Sequence, residues 1–317
     1  MQSKTRPLPP APGTSPAATS LSPNFSPGRM VKHPAGSLGK KERKKLEIVC
    51  VCRCIGTDES NRTKHTMSTT IDIIIPVYNE SKRLKLTVQA LNSFVPPRGI
   101  KVNKIIFVND GSTDNTLQKL KNARLKFSKK ILSYSHNQGK GTAIKLGFLN
   151  ATADYALFMD ADMSTPISEF KKLLPFVRQK IPVIIGTRKN GHSTVTVHQP
   201  WIREHLGKVF TLISQLVLNT WVTDFTCGFK AFSRPAYTTI SPLMTINRWG
   251  FDSEIIFLAK IFNFPIQEKS LVWANDPATK VNLLKDIYRS FKELLQIRLN
   301  HFLGKYQLSS PSTVISG

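Results

Sequence analysis

The chain has 317 residues, 40% of them apolar, enough for one large domain or two small ones. Its formal net charge is +25, with positive excesses of 8 before Met67 and 17 from there on, so no single tail accounts for the field. No run reaches the roughly 18 apolar residues of a membrane span, the opening residues show no secretory-leader pattern, and Cys50, Cys52 and Cys54 with a distant Cys227 make neither a convincing zinc set nor a disulfide framework.

Residues 1–66 are rich in Pro, Ser, Thr, Lys and Arg with little apolar periodicity. Such a stretch cannot bury enough surface to offset chain entropy, and disorder is expected. Two readings stand for it: an extension upstream of a natural start at Met67, or a basic membrane-targeting arm. From Ile71 strands and helices alternate. Strands are expected at Ile71–Val77, Lys104–Asn109, Ile131–Ser135 and Tyr155–Met159, with helices at Lys82–Phe94, Thr113–Phe127 and Lys140–Ala151 between them. A helix then runs from Ser168 to Gln179, a strand over Val183–Gly186, and a flexible basic stretch over Thr187–His198. Trp201–Trp221 reads as a helix, Asp224–Phe232 as a turn and short strand, Phe251–Phe262 as a helix, Ile266–Trp273 as a strand and Val281–Leu303 as a last amphipathic helix. This is an α/β pattern with a mainly parallel sheet flanked by helices, whose ligands sit at the carboxyl ends of the strands.

The motifs fall at those ends. Pro76-Val77-Tyr78-Asn79-Glu80 and Val108-Asn109-Asp110-Gly111-Ser112-Thr113-Asp114 close the first two strands, where carboxylates can accept from ribose hydroxyls or a base N–H. Turn formation and N-capping explain Thr113 or Asp114 but leave Asp110 over. Asn137-Gln138-Gly139-Lys140-Gly141 opens a helix and suits a phosphate. Asp160-Ala161-Asp162 ends the fourth strand; two carboxylates at i, i+2 can hold Mg²⁺ or Mn²⁺ beside a diphosphate.

This ordered set resembles the family-two glycosyltransferases of the GT-A fold, over roughly Ile71 to Trp273. Met159-Asp160-Ala161-Asp162-Met163-Ser164-Thr165-Pro166, Ile185-Gly186-Thr187-Arg188, Asp224-Phe225-Thr226-Cys227-Gly228-Phe229-Lys230 and Arg248-Trp249-Gly250-Phe251-Asp252-Ser253-Glu254 look like the dolichyl-phosphate β-glucosyltransferase branch. The resemblance implies a glycosyltransferase domain over 67–280, with a C-terminal amphipathic helix and tail over 281–317. It implies that Pro76, Tyr78, Glu80 and Asp110 hold the nucleotide of a UDP-sugar donor, and that Asp160 and Asp162 hold the metal; Lys140 is read as a phosphate contact.

The implied reaction is inverting transfer of glucose from UDP-glucose to a polyprenyl (dolichyl) phosphate. The alternatives are mannosyl transfer from GDP-mannose and transfer to a soluble acceptor. Arg188, Arg203 and Lys230 are the candidate cations for the acceptor phosphate, and Asp224 a candidate to orient the acceptor or bind a sugar hydroxyl. Asp252 and Glu254 are either site residues or first-turn helix charges. Trp201–Trp221 and Val281–Leu303 suit an anionic membrane surface, although core packing produces the same stripe. A peripheral place on the cytoplasmic face of a membrane follows. Nucleic acid is the rival partner for the charge, but no zinc-finger, helix-turn-helix or aromatic RNA-binding signature supports it.

Overall fold

The computed structural model describes residues 68–189, 195–197, 201–274 and 283–308, with backbone alone at 195–197, 201–204 and 283–288. The expected disorder of 1–66 and the three clustered cysteines lie outside the described residues. Those residues all belong to a compact unit spanning Thr63–Gly317.

Strands β1 (Thr69–Val77), β2 (Ile100–Asp110), β3 (Lys129–Tyr134), β4 (Tyr155–Met159) and β5 (Val183–Thr187) alternate with helices α1 (Leu84–Ser93), α2 (Thr116–Asn122), α3 (Lys140–Leu149) and α4 (Phe170–Arg178). The chain continues through β6 (Val195–Val197), α5 (Trp201–Leu218), β7 (Phe229–Ser233), α6 (Arg234–Leu243), α7 (Phe251–Ile261), β8 (Ile266–Ser270), β9 (Trp273–Ala274) and α8 (Leu283–Phe302). The main sheet has the order β3-β2-β1-β4-β7-β5-β8, and only β7 runs antiparallel to its neighbours. The other six strands therefore deliver their carboxyl ends to one edge. At that edge β7 begins, with Phe229 opposite Met159. A second small sheet pairs β6, inside the stretch expected to be flexible, with β9.

Both faces of the sheet are covered, as the near-continuous apolar runs of its strands require. Ile74, Ile106 and Phe158 pack on one side against α3, α6, α7 and α8, while Ile73, Ile75 and Leu157 pack on the other with Leu84, Leu120 and Phe170. Burying each such side chain contributes about 1.5–3 kcal/mol. Asp72 interrupts the β1 run at the end away from the motifs. Its carboxylate accepts from Thr152 N (2.6 Å), Ala153 N (3.0 Å) and Asn103 Nδ2 (2.8 Å), which satisfies the buried charge.

Several boundaries differ from the sequence reading. Helix α2 ends at Asn122 rather than Phe127, because Lys129 Nζ turns back onto the carbonyls of Leu120 (2.7 Å), Lys121 (3.0 Å) and Ala123 (2.7 Å) and caps it there. Helix α6 was not foreseen; Thr238, Thr239, Ser241 and Pro242 are poor helix formers, and its signal is the early Pro235 after Ser233. Leu294, Ile297 and Tyr306 of the C-terminal segment join the main core, so α8 is an integral layer of the domain. None of the described helices is long and apolar enough to cross a membrane.

Candidate active site

The loop after β1 is tied to the loop after β2. Asn79 takes the left-handed conformation (φ 54°), which Asn tolerates better than most residues. Its Oδ1 accepts from Thr113 N (2.8 Å) and Asp114 N (3.3 Å), and its own N–H donates to Ser112 Oγ (3.0 Å). Asp114 accepts from Thr116 N (2.9 Å) and Ser81 N (3.2 Å). Burial pushes its carboxyl up, but the hydrogen bonds from Thr116 and Ser81 outweigh that and hold it at about 2. Beside this knot Pro76 and Glu80 are half-buried and Tyr78 is exposed.

Asp110 is tied to the turn that opens α3. It is buried, and its Oδ1 accepts from Gln138 N (2.7 Å) and Gly139 N (3.2 Å) while Oδ2 accepts from Gly139 N (3.0 Å) and Asn137 Nδ2 (2.9 Å). Three donors thus occupy its carboxylate, the Gly139 N–H shared between both oxygens. Asp110 shapes the turn into α3. Gly139 has φ 110°, and a Cβ there would stand 2.4 Å from the Asn247 carbonyl, so only glycine fits.

That turn places Lys140 on the aspartate pair. Lys140 Nζ lies 2.6 Å from Asp160 Oδ1, with the Trp249 and Phe251 ring centres 5.8 and 5.6 Å away. Burial lowers the Lys140 ammonium, and Asp160 and Asp252 outweigh it and raise it. Asp162 folds back so that its Oδ1 accepts Ser164 N (2.9 Å); burial, then the Asp160 charge, raises its carboxyl. Among the described residues no three metal-binding side chains cluster. The donor set does fit a hard divalent cation: two carboxylates whose mutual repulsion it would relieve, with substrate and water oxygens completing the shell. Gly228 was not singled out by sequence reasoning, yet a Cβ on it would stand 2.0 Å from Asp160 Oδ2. Its signal, a small residue just before β7, becomes meaningful only once β7 is known to run beside β4.

At the end of β5, Arg188 grips Asp224. Its Nε donates to Asp224 Oδ2 (2.8 Å), and its Nη2 donates to Asp224 Oδ1 (2.9 Å) and Thr226 Oγ1 (2.9 Å). Its guanidinium carbon lies 5.2 Å from the Trp273 ring centre. Asp224 is fully buried; burial pushes its carboxyl up, but the Arg188 charge and hydrogen bonds more than reverse this and hold it well below the usual range. Asp224 therefore holds Arg188 in orientation. The Arg188 side chain keeps 18% of its surface exposed. Lys189, next to it, donates to the Gly207 carbonyl (3.1 Å) and to Thr211 Oγ1 (2.7 Å) on α5.

Lys230 also departs from expectation. It is 0% exposed, with Nζ donating to the Cys227 carbonyl (2.6 Å) and to Asp252 (2.5 Å). An ammonium so enclosed cannot grip an incoming phosphate; it neutralises Asp252 under the site. Glu254 is likewise structural, accepting from Thr245 N (2.8 Å), Ile246 N (2.9 Å) and Tyr306 Oη (2.7 Å). The Arg203 side chain lies outside the described residues.

A glycosyl transferase family 2 profile matches residues 72–240. The chain is 31% identical over 255 residues to a dolichyl-phosphate β-glucosyltransferase of Saccharomyces cerevisiae, covering 75% of this chain and 76% of that one. It is 28% identical over 256 residues to that of Dictyostelium discoideum, covering 76% and 77%. Among solved structures, glucosyl-3-phosphoglycerate synthase of Mycobacterium tuberculosis with UDP superposes at a TM-score of 0.53, with 16% identity over 72% of this chain and 80% of that one. The same enzyme with Mn²⁺, UDP-glucose and glycerol 3-phosphate gives 0.54 at 15% identity, over the same shares. These likenesses establish a common GT-A fold. With its sheet edge, its profile match and its relatives in agreement, the chain belongs to glycosyl transferase family 2 and is a glycosyltransferase.

Proposed function

We propose that the chain transfers glucose from UDP-glucose to a polyprenyl (dolichyl) phosphate with inversion, giving a β-linked lipid-phosphate sugar at the cytoplasmic surface of an anionic membrane. The observation that carries the reading is the Asp160–Asp162 pair at the end of β4 with Lys140 on Asp160. The relatives' names supply the glucosyl group and the dolichyl phosphate, and the structural neighbour's ligands supply UDP-glucose.

Asp160 and Asp162 would hold Mg²⁺ or Mn²⁺, which when bound supplies a Lewis acid to the departing diphosphate. Lys140 adds a fixed positive charge beside the same leaving group. Pro76, Tyr78 and Glu80 line the nucleoside side, on a wall that Asn79 and Asp114 lock in place.

The acceptor is a phosphomonoester with a second pKa near about 6, so it is largely a dianion at neutral pH and needs no strong general base. Its oxygen forms the new bond to the sugar C1 while the bond from C1 to the diphosphate oxygen breaks, the electron pair leaving with UDP. Attack from the face opposite the leaving group inverts the centre, as in inverting glycosidases. Arg188, held in orientation by Asp224, receives the acceptor phosphate; Arg203, near the start of α5, is its proposed second cation. Calorimetric titration with UDP tests the donor half. Tight binding should require Mg²⁺ or Mn²⁺ and vanish in Asp160→Ala; metal-independent binding that survives this change would refute it.

A further inference from the structure

We propose that the paired helices α5 and α8 form the face by which this glycosyltransferase settles on an anionic lipid bilayer; only the link from that face to Arg188 rests on the lipid-phosphate reading above. Each helix buries one side and leaves an apolar line on another. Helix α5 buries Thr211, Ser214 and Leu218, yet exposes Val209, Leu212 and Leu216. Helix α8 buries Leu294, Ile297 and Asn300, yet exposes Leu295, Leu299 and Phe302, the last 87% accessible. Scattered exposed apolar residues are ordinary. Two such lines at helical spacing, on helices in contact, are more than scatter.

The two helices pack against each other. The Phe210 and Phe291 rings meet edge to face at 5.7 Å. Leu295 stands one turn beyond Phe291, so the α8 line borders the seam where the helices touch, while Val209, Leu212 and Leu216 lie on the outward side of α5.

Charge selects the occupant. Residues 205–223 contain no acidic side chain, and in 289–308 the one acid, Glu293, is buried with its carboxylate accepting Gly250 N (2.6 Å). The exposed charges alongside the apolar lines are Lys208, Lys292, Arg298 and Lys305, all positive. A second copy docked face to face would bring these cations together. Anionic headgroups would meet them with opposite charge while the apolar lines reach the acyl boundary.

The same face is coupled to the site. Lys189 fastens β5 to Gly207 and Thr211, within a turn of Lys208 and Val209 and adjacent to Arg188. Glu293 fastens α8 to the loop that carries Trp249 beside Lys140. A chain seated on this face holds Arg188 close to the headgroup layer, where a lipid phosphate resides.

The test is flotation of the full chain with vesicles of phosphatidylcholine and phosphatidylserine at high salt, which suppresses purely ionic attachment through other basic segments. Two variants, Leu212→Ser/Leu216→Ser and Leu295→Ser/Leu299→Ser/Phe302→Ser, should each lower vesicle partitioning about tenfold or more, with UDP affinity kept as the check on folding. Should one variant lose UDP binding, the other decides. Unchanged partitioning in a variant that still binds UDP would overturn the proposal, as would vesicle-free self-association that the substitutions abolish, which would make a second copy the occupant. The outcomes also separate this proposal from the catalytic one. Variants that leave the vesicles but still glucosylate a short, water-soluble prenyl phosphate uphold both. Wild-type vesicle binding with no transfer to any prenyl phosphate upholds the face and sinks the reaction.

Discussion

Asp224 and Arg188 form a buried charge pair from which neither partner can be removed alone. Asp224→Asn should destabilise the chain by about 3–5 kcal/mol, because it leaves the guanidinium under-compensated in a dry setting; urea unfolding measures it. The sign of the pH effect follows from the depressed carboxyl. Stability from this pair is fully present above the ordinary value of 3.8 and is lost as pH falls toward the lower folded value. The acid limb of the wild-type stability curve should therefore be steeper than that of Asp224→Asn, as melting temperature against pH below about 5 will report. Gly228→Ala acts on the other cluster. Its methyl would stand 2.0 Å from Asp160 Oδ2, so the carboxylate must move, and turnover should fall about 100-fold, since a displacement of about 1 Å has that scale of effect. Asp160 and Asp162 were legible in the sequence because they are two residues apart on one strand end. The closeness of Gly228 to Asp160, the burial of Lys230 and the tie from Asp110 to the α3 turn were not, since each depends on segments that meet only in the folded sheet.

Helix α8 shows how one element can bear two assignments at once. Its inner side belongs to the core, so Ile297→Ala should cost about 2–5 kcal/mol. Leu299→Ser on its outer side should change stability by no more than about 0.5 kcal/mol. Chemical denaturation of the two variants side by side tests the distinction, and equal losses would contradict it. The periodicity of the sequence could not choose between a membrane stripe and a core stripe, because both are apolar lines at the same spacing; α8 carries one buried apolar line and one exposed. Strands β1, β4 and β5 were legible for the opposite reason, each being a short apolar run bounded by a polar motif. Helix α2 was read too long because the cap that ends it comes from Lys129, on the following strand. Helix α6 was missed because tertiary packing of Ala236, Tyr237 and Ile240 outweighs a sequence poor in helix formers.

Across the whole molecule, six strands and the start of a seventh bring the donor-side loops, the Asp pair and Arg188 to one edge, and the α5–α8 face is fastened to that edge through Lys189 and Glu293. A net charge of +25 suits the proposed donor, acceptor and supporting surface, all of them anionic. The alternation of strands and helices was enough to read the fold class, and the family resemblance that the motifs carry supplied the reaction class, whereas the partition of charges into exposed and buried ones required the packed structure. The central claim is glucosyl transfer to a lipid phosphate. The direct measurement is transfer of label from UDP-glucose into an organic-extractable product, with dolichyl phosphate and Mg²⁺ or Mn²⁺ present. Label should enter the lipid fraction with wild type and be lost with Asp162→Asn. Label entering from GDP-mannose but not from UDP-glucose, or UDP release with no labelled lipid, would contradict the account.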